Sequence, residues 1–224
     1  MKNKPAIPKI ESRLRHNILE MPKSIYEASG ILVYGRRIKS LVFTTDIAII
    51  RNCDADAVLA VYPFTPQQII GDAIIQASYV PVFCGVGGGI TNGLRSDNLA
   101  KDAEMHGAMG VVMNAPVSNE NIRMVVDEID APVIVTVVSA DTDIQARLDA
   151  GVSILNVAGG PDTPEIVRKI REKFPDVPIM ASGGNTDEFI RKTIEAGANA
   201  ITYTPPSTNE LFKKLMAKYR ENGI

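Results

Sequence analysis

The stretch that decides the fold is Val-Pro-Ile-Met-Ala-Ser-Gly-Gly-Asn at residues 177–185, followed by Ala-Gly-Ala-Asn-Ala-Ile-Thr-Tyr-Thr-Pro-Pro at residues 196–206. Each part is a short apolar run that ends in turn residues, and a segment with helical periodicity follows each run. The pattern predicts two parallel strands, each followed by a helix. In a (β/α)8 barrel these would be the last two strands, and the loops after them frequently bind phosphate groups.

The same alternation runs through the chain from residue 40. Short apolar runs rich in Val and Ile suit parallel strands that are buried on both faces. The predicted strands are 40–45, 57–62, 80–85, 109–114, 133–138, 153–157, 178–182 and 199–204. A two-strand unit recurs every ~45–53 residues, as expected of a repeat. We therefore predict a single (β/α)8 (TIM) barrel of the α/β class over residues 40–224, with an open doubly wound sheet as the alternative.

Residues 1–39 are predicted to form a helical extension that plugs the bottom of the barrel or packs on its outer helices. Apolar residues recur there at helical spacing and stop before a proline: Ile10, Leu14, Ile18, Leu19 and Met21-Pro22. Another turn is expected over residues 24–29.

Composition narrows the functional classes. The chain has 224 residues and a formal charge of −2 without a basic stripe, so nucleic acid is not expected as a partner. No run approaches the ~20 apolar residues of a membrane span. The two cysteines and the absence of a signal-peptide pattern predict a cytoplasmic protein. Barrels of this size often form homo-oligomers, but no sequence feature marks an interface, so the oligomeric state stays open.

The best phosphate candidate is Gly183-Gly184, which follows the seventh predicted strand. Glycine lets the backbone approach an anion closely, and the following helix N-terminus offers free N–H groups. The loop after the eighth strand contains two prolines, which have no N–H to donate. Phosphate would therefore depend on Ser182, Ser207 and the amides of residues 183–185. The alternative is that these glycines only form tight turns.

Two further glycine clusters follow predicted strands. Gly159-Gly160 precedes a helix start and would share the anion or merely turn the chain. Gly87 and Gly88 belong to a glycine-rich run over residues 85–93, which would form a mobile closing loop, an anion cradle or a flexible connector.

Three polar residues at strand ends are candidates for catalysis. Asp46 follows the first strand and would act as a general base or cap the next helix. Asn114 and Asn156 end the fourth and sixth strands, where an amide would orient a substrate hydroxyl or an oxyanion, or satisfy neighbouring backbone. Cys84 ends the third strand without a histidine nearby, which favours a buried thiol over a nucleophile.

The residue types that are missing from the predicted strand ends argue against several mechanisms. His16 and His106 lie away from the predicted strand ends, so no metal site is expected. No lysine lies on a predicted strand or at its C-terminal end, which argues against a Schiff-base aldolase. No cofactor is predicted, apart from FMN in an alternative given below.

With these strand ends in view, the chain resembles the phosphate-binding barrels, often called ribulose-phosphate-binding. The resemblance lies in the strand at residues 178–184 and the approach to the last strand at 195–201. Keto-deoxy-phosphogluconate aldolase has its lysine where this chain has Leu155 or Asn156, and the metal histidines of the sugar-phosphate epimerases are missing. The chain also resembles flavin-binding barrels, in which the Gly-Gly strand holds the FMN phosphate, although Thr204-Pro-Pro replaces their usual Gly-Ser/Thr.

Residues 34–46 and 203–206 more closely resemble a little-characterised bacterial barrel family that carries the label "hydrolase", which implies water as the nucleophile. We therefore predict an enzyme that acts on a small phosphorylated metabolite, with a hydrolase or a lyase/isomerase-like reaction left open. The alternatives are a non-catalytic ligand-sensing barrel and an FMN-binding barrel.

Overall fold

The computed structural model describes residues 8–12 and 17–221. Its strands are β1 (Ile31–Val33), β2 (Arg36–Ile38), β3 (Ser40–Phe43), β4 (Ala57–Ala60), β5 (Val82–Gly87), β6 (Gly110–Met113), β7 (Val133–Val137), β8 (Ile154–Val157), β9 (Ile179–Ser182) and β10 (Ala200–Tyr203). Its α-helices are α1 (Ile47–Arg51), α2 (Gln68–Ala77), α3 (Leu94–Met105), α4 (Asn119–Val126), α5 (Ile144–Asp149), α6 (Thr163–Lys173), α7 (Asp187–Glu195) and α8 (Thr208–Glu221).

Strands β3 to β10 form a closed parallel barrel in chain order, and β10 pairs with β3 to complete it. The predicted (β/α)8 barrel is confirmed, and each of the eight predicted strands overlaps an observed one. The strands carry continuous apolar runs because their outer face packs on the helices and their inner face fills the barrel.

The barrel interior is filled in layers. Successive side chains on a strand point alternately inward and outward, and in an eight-stranded barrel alternate strands contribute to one layer. Large apolar side chains fill the lower interior: Leu41, Phe83, Ile134, Ile154 and Met180. The inward-facing polar side chains lie above this level, toward the C-terminal end of the strands.

A hairpin closes the N-terminal end of the barrel. Strands β1 and β2 pair antiparallel, and Ile31, Val33 and Ile38 join the inner apolar cluster. Tyr34 and Gly35 both have positive φ, as a two-residue turn that matches the twist of its strands requires. A β-hairpin, which the sequence analysis did not predict, therefore lies where a helical plug was one of the two expected arrangements.

The helix predicted to end at Met21-Pro22 is wrong over the residues that the structure describes. Residues 8–12 and 17–22 are not helical, while residues 13–16, with Leu14, lie outside the described part. Leu19 instead forms a β-bridge with Cys53. The turn expected over 24–29 is present as a 3-10 helix over Lys23–Glu27.

Candidate functional site

The upper interior of the barrel is polar on one side only. Strands β6 to β10 bring inward-facing, uncharged side chains to this end, either on the strand or directly after it: Asn114, Thr136, Asn156, Ser182 and Thr202. Strands β3 to β5 bring Phe43, Val61 and Gly85 to the opposite side. The arrangement suits a ligand with one hydrogen-bonding face and one apolar face.

A chain of hydrogen bonds links three of these side chains across adjacent strands. The Asn156 Nδ2 donates to Thr136 Oγ1 at 3.1 Å, and the Thr136 hydroxyl donates to Asn114 Oδ1 at 3.1 Å. Each side chain orients the next, so the Asn156 amide turns its oxygen away from Thr136. The structure thus brings together the predicted residues Asn114 and Asn156, through a threonine that the sequence analysis did not single out.

Two buried polar atoms at this level have no hydrogen-bond partner among the described residues. They are Asn156 Oδ1 and Thr202 Oγ1, and each residue is only 6% exposed. When the strand register is followed round the barrel with a shift of about one residue per strand, Asn156 and Thr202 share a layer with Leu59 and Val112. Unsatisfied buried polar atoms are uncommon in native proteins, and these two need a partner such as a ligand or a water molecule.

The three glycine pairs at the C-terminal ends of β5, β8 and β9 have the same arrangement. The first glycine of each pair faces the outer helical layer, where a Cβ atom would overlap a neighbouring side chain: Ser96 for Gly87, Ile166 for Gly159 and Ile201 for Gly183. The second glycine has positive φ: Gly88, Gly160 and Gly184. The first glycine of each pair therefore serves close packing, and the second turns the chain.

The pairs differ in whether their N–H groups are free to bind an anion. Gly183 donates to the Thr202 carbonyl at 3.0 Å, and Gly159 donates to the Thr163 hydroxyl at 3.1 Å. The amides of Gly160 and Gly184 donate to no acceptor in the part of the chain that the structure describes. Because β8 and β9 are neighbours, these two free amides follow adjacent strands.

The glycine-rich run after β5 is neither an anion cradle nor an open connector. Gly88 donates to the Thr91 carbonyl at 2.8 Å, and Gly89 donates to the Pro116 carbonyl at 2.8 Å. Gly87 faces α3, away from the barrel interior. The structure gives the predicted phosphate role of Gly87 and Gly88 no support, because the Gly88 amide already has an acceptor and the Cβ direction of Gly87 faces α3.

Ser207 forms a capping box with Glu210 and presents no free donor. Its N–H and its hydroxyl both donate to Glu210 Oε2, each at 2.8 Å. These hydrogen bonds lower the pKa of the Glu210 carboxyl. The acceptor for both Ser207 donors is therefore itself an anion. The predicted phosphate role of Ser207 is therefore not supported. Ser182 lies half-buried on the inner face of the barrel, where its hydroxyl can meet a ligand.

Asp46 acts as the N-cap of α1. Its Oδ1 accepts hydrogen bonds from the amides of Ala48 and Ile49, and its Oδ2 accepts one from the Thr208 hydroxyl. Both carboxylate oxygens thus have partners, and the capping alternative describes what is observed. A catalytic role for Asp46 stays a prediction.

The thiol of Cys84 lies on the outer face of β5 within the strand–helix core. Burial raises its pKa to about 12, so it is protonated near neutral pH and is a poor nucleophile. The interpretation of Cys84 as a buried core thiol is confirmed.

The described residues contain neither a cluster of metal ligands nor a membrane-spanning helix. Within residues 8–12 and 17–221, no three His, Cys, Asp or Glu side chains cluster as metal ligands would. No helix in the same part of the chain is long and apolar enough to cross a membrane.

Sequence reasoning missed Thr136 and Thr202. Both resemble ordinary strand residues, because threonine has a high β-propensity. The available signal was the alternation: Thr136 lies two residues after the inward Ile134, and Thr202 lies two residues after the inward Ala200.

Comparisons with known proteins give one short sequence match and a similarity of fold. No family model matches the chain. A segment of 70 residues is 43% identical to the inosine-5'-monophosphate dehydrogenase of Halalkalibacterium halodurans, a match that covers 29% of this chain and only 14% of that enzyme's length.

Two solved structures are similar over most of their length. Phosphonopyruvate hydrolase aligns with a TM-score of 0.66 at 15% identity, over 86% of this chain and 85% of that one. A 2,3-dimethylmalate lyase of the PEP mutase/isocitrate lyase superfamily aligns with a TM-score of 0.61 at 13% identity, over 90% and 86%. At these identities the likeness establishes the barrel fold.

Proposed function

We propose that this chain is an enzyme that binds a small phosphorylated metabolite at the C-terminal face of its barrel. The observation that carries the proposal is the pair of buried, unpartnered atoms Asn156 Oδ1 and Thr202 Oγ1 beneath a polar half of the mouth. Leaving such atoms unpaired costs about 1–3 kcal/mol each, a cost that a bound ligand removes.

The phosphate end of the ligand would bind the amides of Gly160 and Gly184, with the Ser182 hydroxyl beside them. Neutral N–H groups at a glycine turn are suited to phosphate oxygens. The first turn of α7 carries Asp187 and Glu188, so the anion is expected at the turn before the helix rather than on its axis. Asp187 accepts a hydrogen bond from Ser24 of the extension at 2.6 Å, which orients its charge toward the extension.

The names of the similar proteins support a phosphorus-containing substrate. One similar enzyme is a dehydrogenase of inosine 5'-monophosphate, and another is a hydrolase of phosphonopyruvate. The reaction is left open between hydrolysis and a lyase or isomerase-like step. The exclusion of a Schiff-base aldolase and the specific resemblance to ribulose-phosphate-binding barrels remain predictions.

The groups in the mouth can orient a substrate but not exchange protons readily. Asn114, Thr136, Asn156 and Thr202 are uncharged, and Asp46 is the carboxylate nearest in sequence to the end of β3. In this proposal Asp46 supplies acid–base chemistry after releasing Thr208, while Asn114 and Asn156 orient the reacting carbon.

The shortage of ionisable groups favours a second candidate, a ligand-sensing barrel that binds the same metabolite without converting it. The Asp46→Asn variant separates the two, because asparagine can still accept the capping bonds of α1. Loss of turnover with retained ligand binding supports the enzyme, whereas turnover equal to that of the unaltered chain removes Asp46 from catalysis.

A thermal-shift titration tests the phosphate end directly. We expect glycerol 3-phosphate or ribose 5-phosphate to stabilise the chain and the unphosphorylated compounds to have little effect. Ligand at 100 times its Kd adds about 2.7 kcal/mol, which is roughly 5–10 °C for a chain of this size. No shift with any phosphorylated compound would remove the phosphate site.

FMN belongs in the same screen, and a colourless protein without FMN affinity ends the flavin alternative.

A matched pair of variants locates the anion. Gly160 and Gly89 have φ near +60°, and a Cβ atom at either position meets no neighbour. A methyl group at Gly160 would obstruct a bound phosphate, so Gly160→Ala is expected to weaken binding about tenfold or more. Gly89→Ala, which carries the same backbone strain on the other side of the mouth, is expected to leave phosphate affinity unchanged.

A further inference from the structure

We infer that the deep end of this site binds a hydroxyl group, so that the substrate is the phosphate ester of an uncharged polyol or sugar rather than a phosphorylated carboxylic acid. The inference rests on the proposed phosphate site and adds the chemistry at the other end of the ligand. It is carried by the donor and acceptor character of Asn156 Oδ1 and Thr202 Oγ1.

An amide oxygen only accepts hydrogen bonds, whereas a threonine hydroxyl can donate and accept. One ligand hydroxyl can therefore satisfy both atoms, by donating to Asn156 Oδ1 and accepting from Thr202. A carboxylate has only acceptors, so it would place a negative oxygen against the Asn156 oxygen.

The orientation of the Asn156 amide is coupled to the orientations of Thr136 and Asn114. Its Nδ2 donates to Thr136, whose only proton is donated to Asn114 Oδ1. Presenting the Asn156 nitrogen to a carboxylate would require Thr136 to donate to Asn156 Oδ1 and the Asn114 amide to flip as well. The whole chain of three side chains would have to reverse.

No positive charge is available to a buried carboxylate at this level. The layer that contains Asn156 is completed by Leu59, Val112 and Thr202. The layer above it consists of Phe43, Gly85, Thr136 and Ser182, so neither layer contains a lysine, arginine or histidine. Burying a carboxylate without a counter-charge is strongly unfavourable, whereas a hydroxyl needs only hydrogen bonds.

Calorimetric titration of the full chain tests the inference with four probes: inorganic phosphate, propyl phosphate, glycerol 3-phosphate and 3-phosphoglycerate. The last two share a phosphorylated three-carbon chain, but 3-phosphoglycerate ends in a carboxylate where glycerol 3-phosphate ends in a hydroxyl. We expect glycerol 3-phosphate to bind at least about 5-fold more tightly than propyl phosphate, which lacks hydroxyls, and more tightly than 3-phosphoglycerate.

Variants at Thr202 assign the effect to the deep layer. Thr202→Val removes the hydroxyl with little change of shape, and we expect it to reduce the advantage of glycerol 3-phosphate over propyl phosphate to less than about 2-fold. Thr202→Ser keeps the hydroxyl and should retain the advantage. Inorganic phosphate should bind all three proteins alike.

The outcomes separate the two proposals. Equal binding of propyl phosphate and glycerol 3-phosphate, with inorganic phosphate still bound, overturns the hydroxyl inference alone and assigns the two buried atoms to an internal water. Tighter binding of 3-phosphoglycerate also overturns it. Failure of all four probes overturns the phosphate site, and the inference with it.

Discussion

At the scale of single residues, Thr202 and Asn156 stand out because their positions lower the stability of the ligand-free barrel. A buried hydroxyl without a partner is less favourable than a methyl group of the same shape. Proteins keep such groups where function requires them, at the expense of stability. This trade-off can be measured without knowing the ligand.

We predict that Thr202→Val raises the free energy of unfolding of the ligand-free chain by about 1 kcal/mol. Urea denaturation followed by circular dichroism measures the change. Thr163→Val is the matched control, since the buried Thr163 hydroxyl accepts a hydrogen bond from the Gly159 amide. That variant should lose about 1–2 kcal/mol. A loss of stability in Thr202→Val would show that its hydroxyl has a partner.

Cys84 predicts a pH dependence at the same scale. Its pKa rises from 9.0 to about 12 on folding, so the unfolded chain releases this proton first. The contribution of the buried thiol to stability is therefore full below pH 9 and is lost as the pH rises from 9 toward 12. In Cys84→Ala, the urea midpoint should therefore fall less steeply between pH 9 and 11 than in the unaltered chain. Parallel curves for the two proteins would contradict the buried-thiol assignment.

At the scale of elements, the strand–turn–helix units were predictable because the signals are local. Apolar runs mark strands, and the capping box at Ser207 marks the start of α8, as observed. The same box leaves the predicted phosphate role of Ser207 without support, because Glu210 takes both donors that an anion would need. A local pattern can show that a serine caps a helix, but only the structure shows that no donor remains.

The glycine turn after β5 offers a prediction about an element. A Cβ atom at Gly88 would overlap the Asn114 backbone at a φ of +106°, whereas Gly89 has open space at +61°. Gly88→Ala should therefore destabilise the chain by about 3 kcal/mol or more, and Gly89→Ala by only about 1–2 kcal/mol. Thermal denaturation compares them, and similar losses would show that backbone strain alone matters at this turn.

At the scale of the whole molecule, the barrel was predictable from its repeat, but the register that aligns Asn156 with Thr202 was not. Register depends on pairing between strands that are distant in sequence. The helix predicted in the N-terminal extension was wrong for a related reason. Helical spacing suggested a helix near Leu19, but Leu19 pairs with Cys53 instead. Tertiary contacts overrode a weak local preference there.

The hairpin plug predicts where the stability of the whole barrel resides. Ile38 is 2% exposed beneath the inner core, so Ile38→Ala should lower the free energy of unfolding by about 2–5 kcal/mol. Leu32→Ala lies in the same hairpin but at a side chain that is 73% exposed, and its effect should stay within about 0.5 kcal/mol. Chemical denaturation of both variants tests this, and equal effects would argue against the plug as part of the core.

The same hairpin sets an order of events during synthesis. Its residues leave the ribosome before any barrel strand, yet the Gly30 amide donates to the Asn199 carbonyl at 2.7 Å, and β3 is closed only by β10. The apolar side chains of the hairpin, which are synthesised early, therefore stay exposed to solvent until nearly the whole chain has emerged. Segments that are distant in sequence pair slowly, and aggregation-prone apolar surface stays exposed until they do. The nascent chain is consequently expected to depend on molecular chaperones more than the finished barrel does.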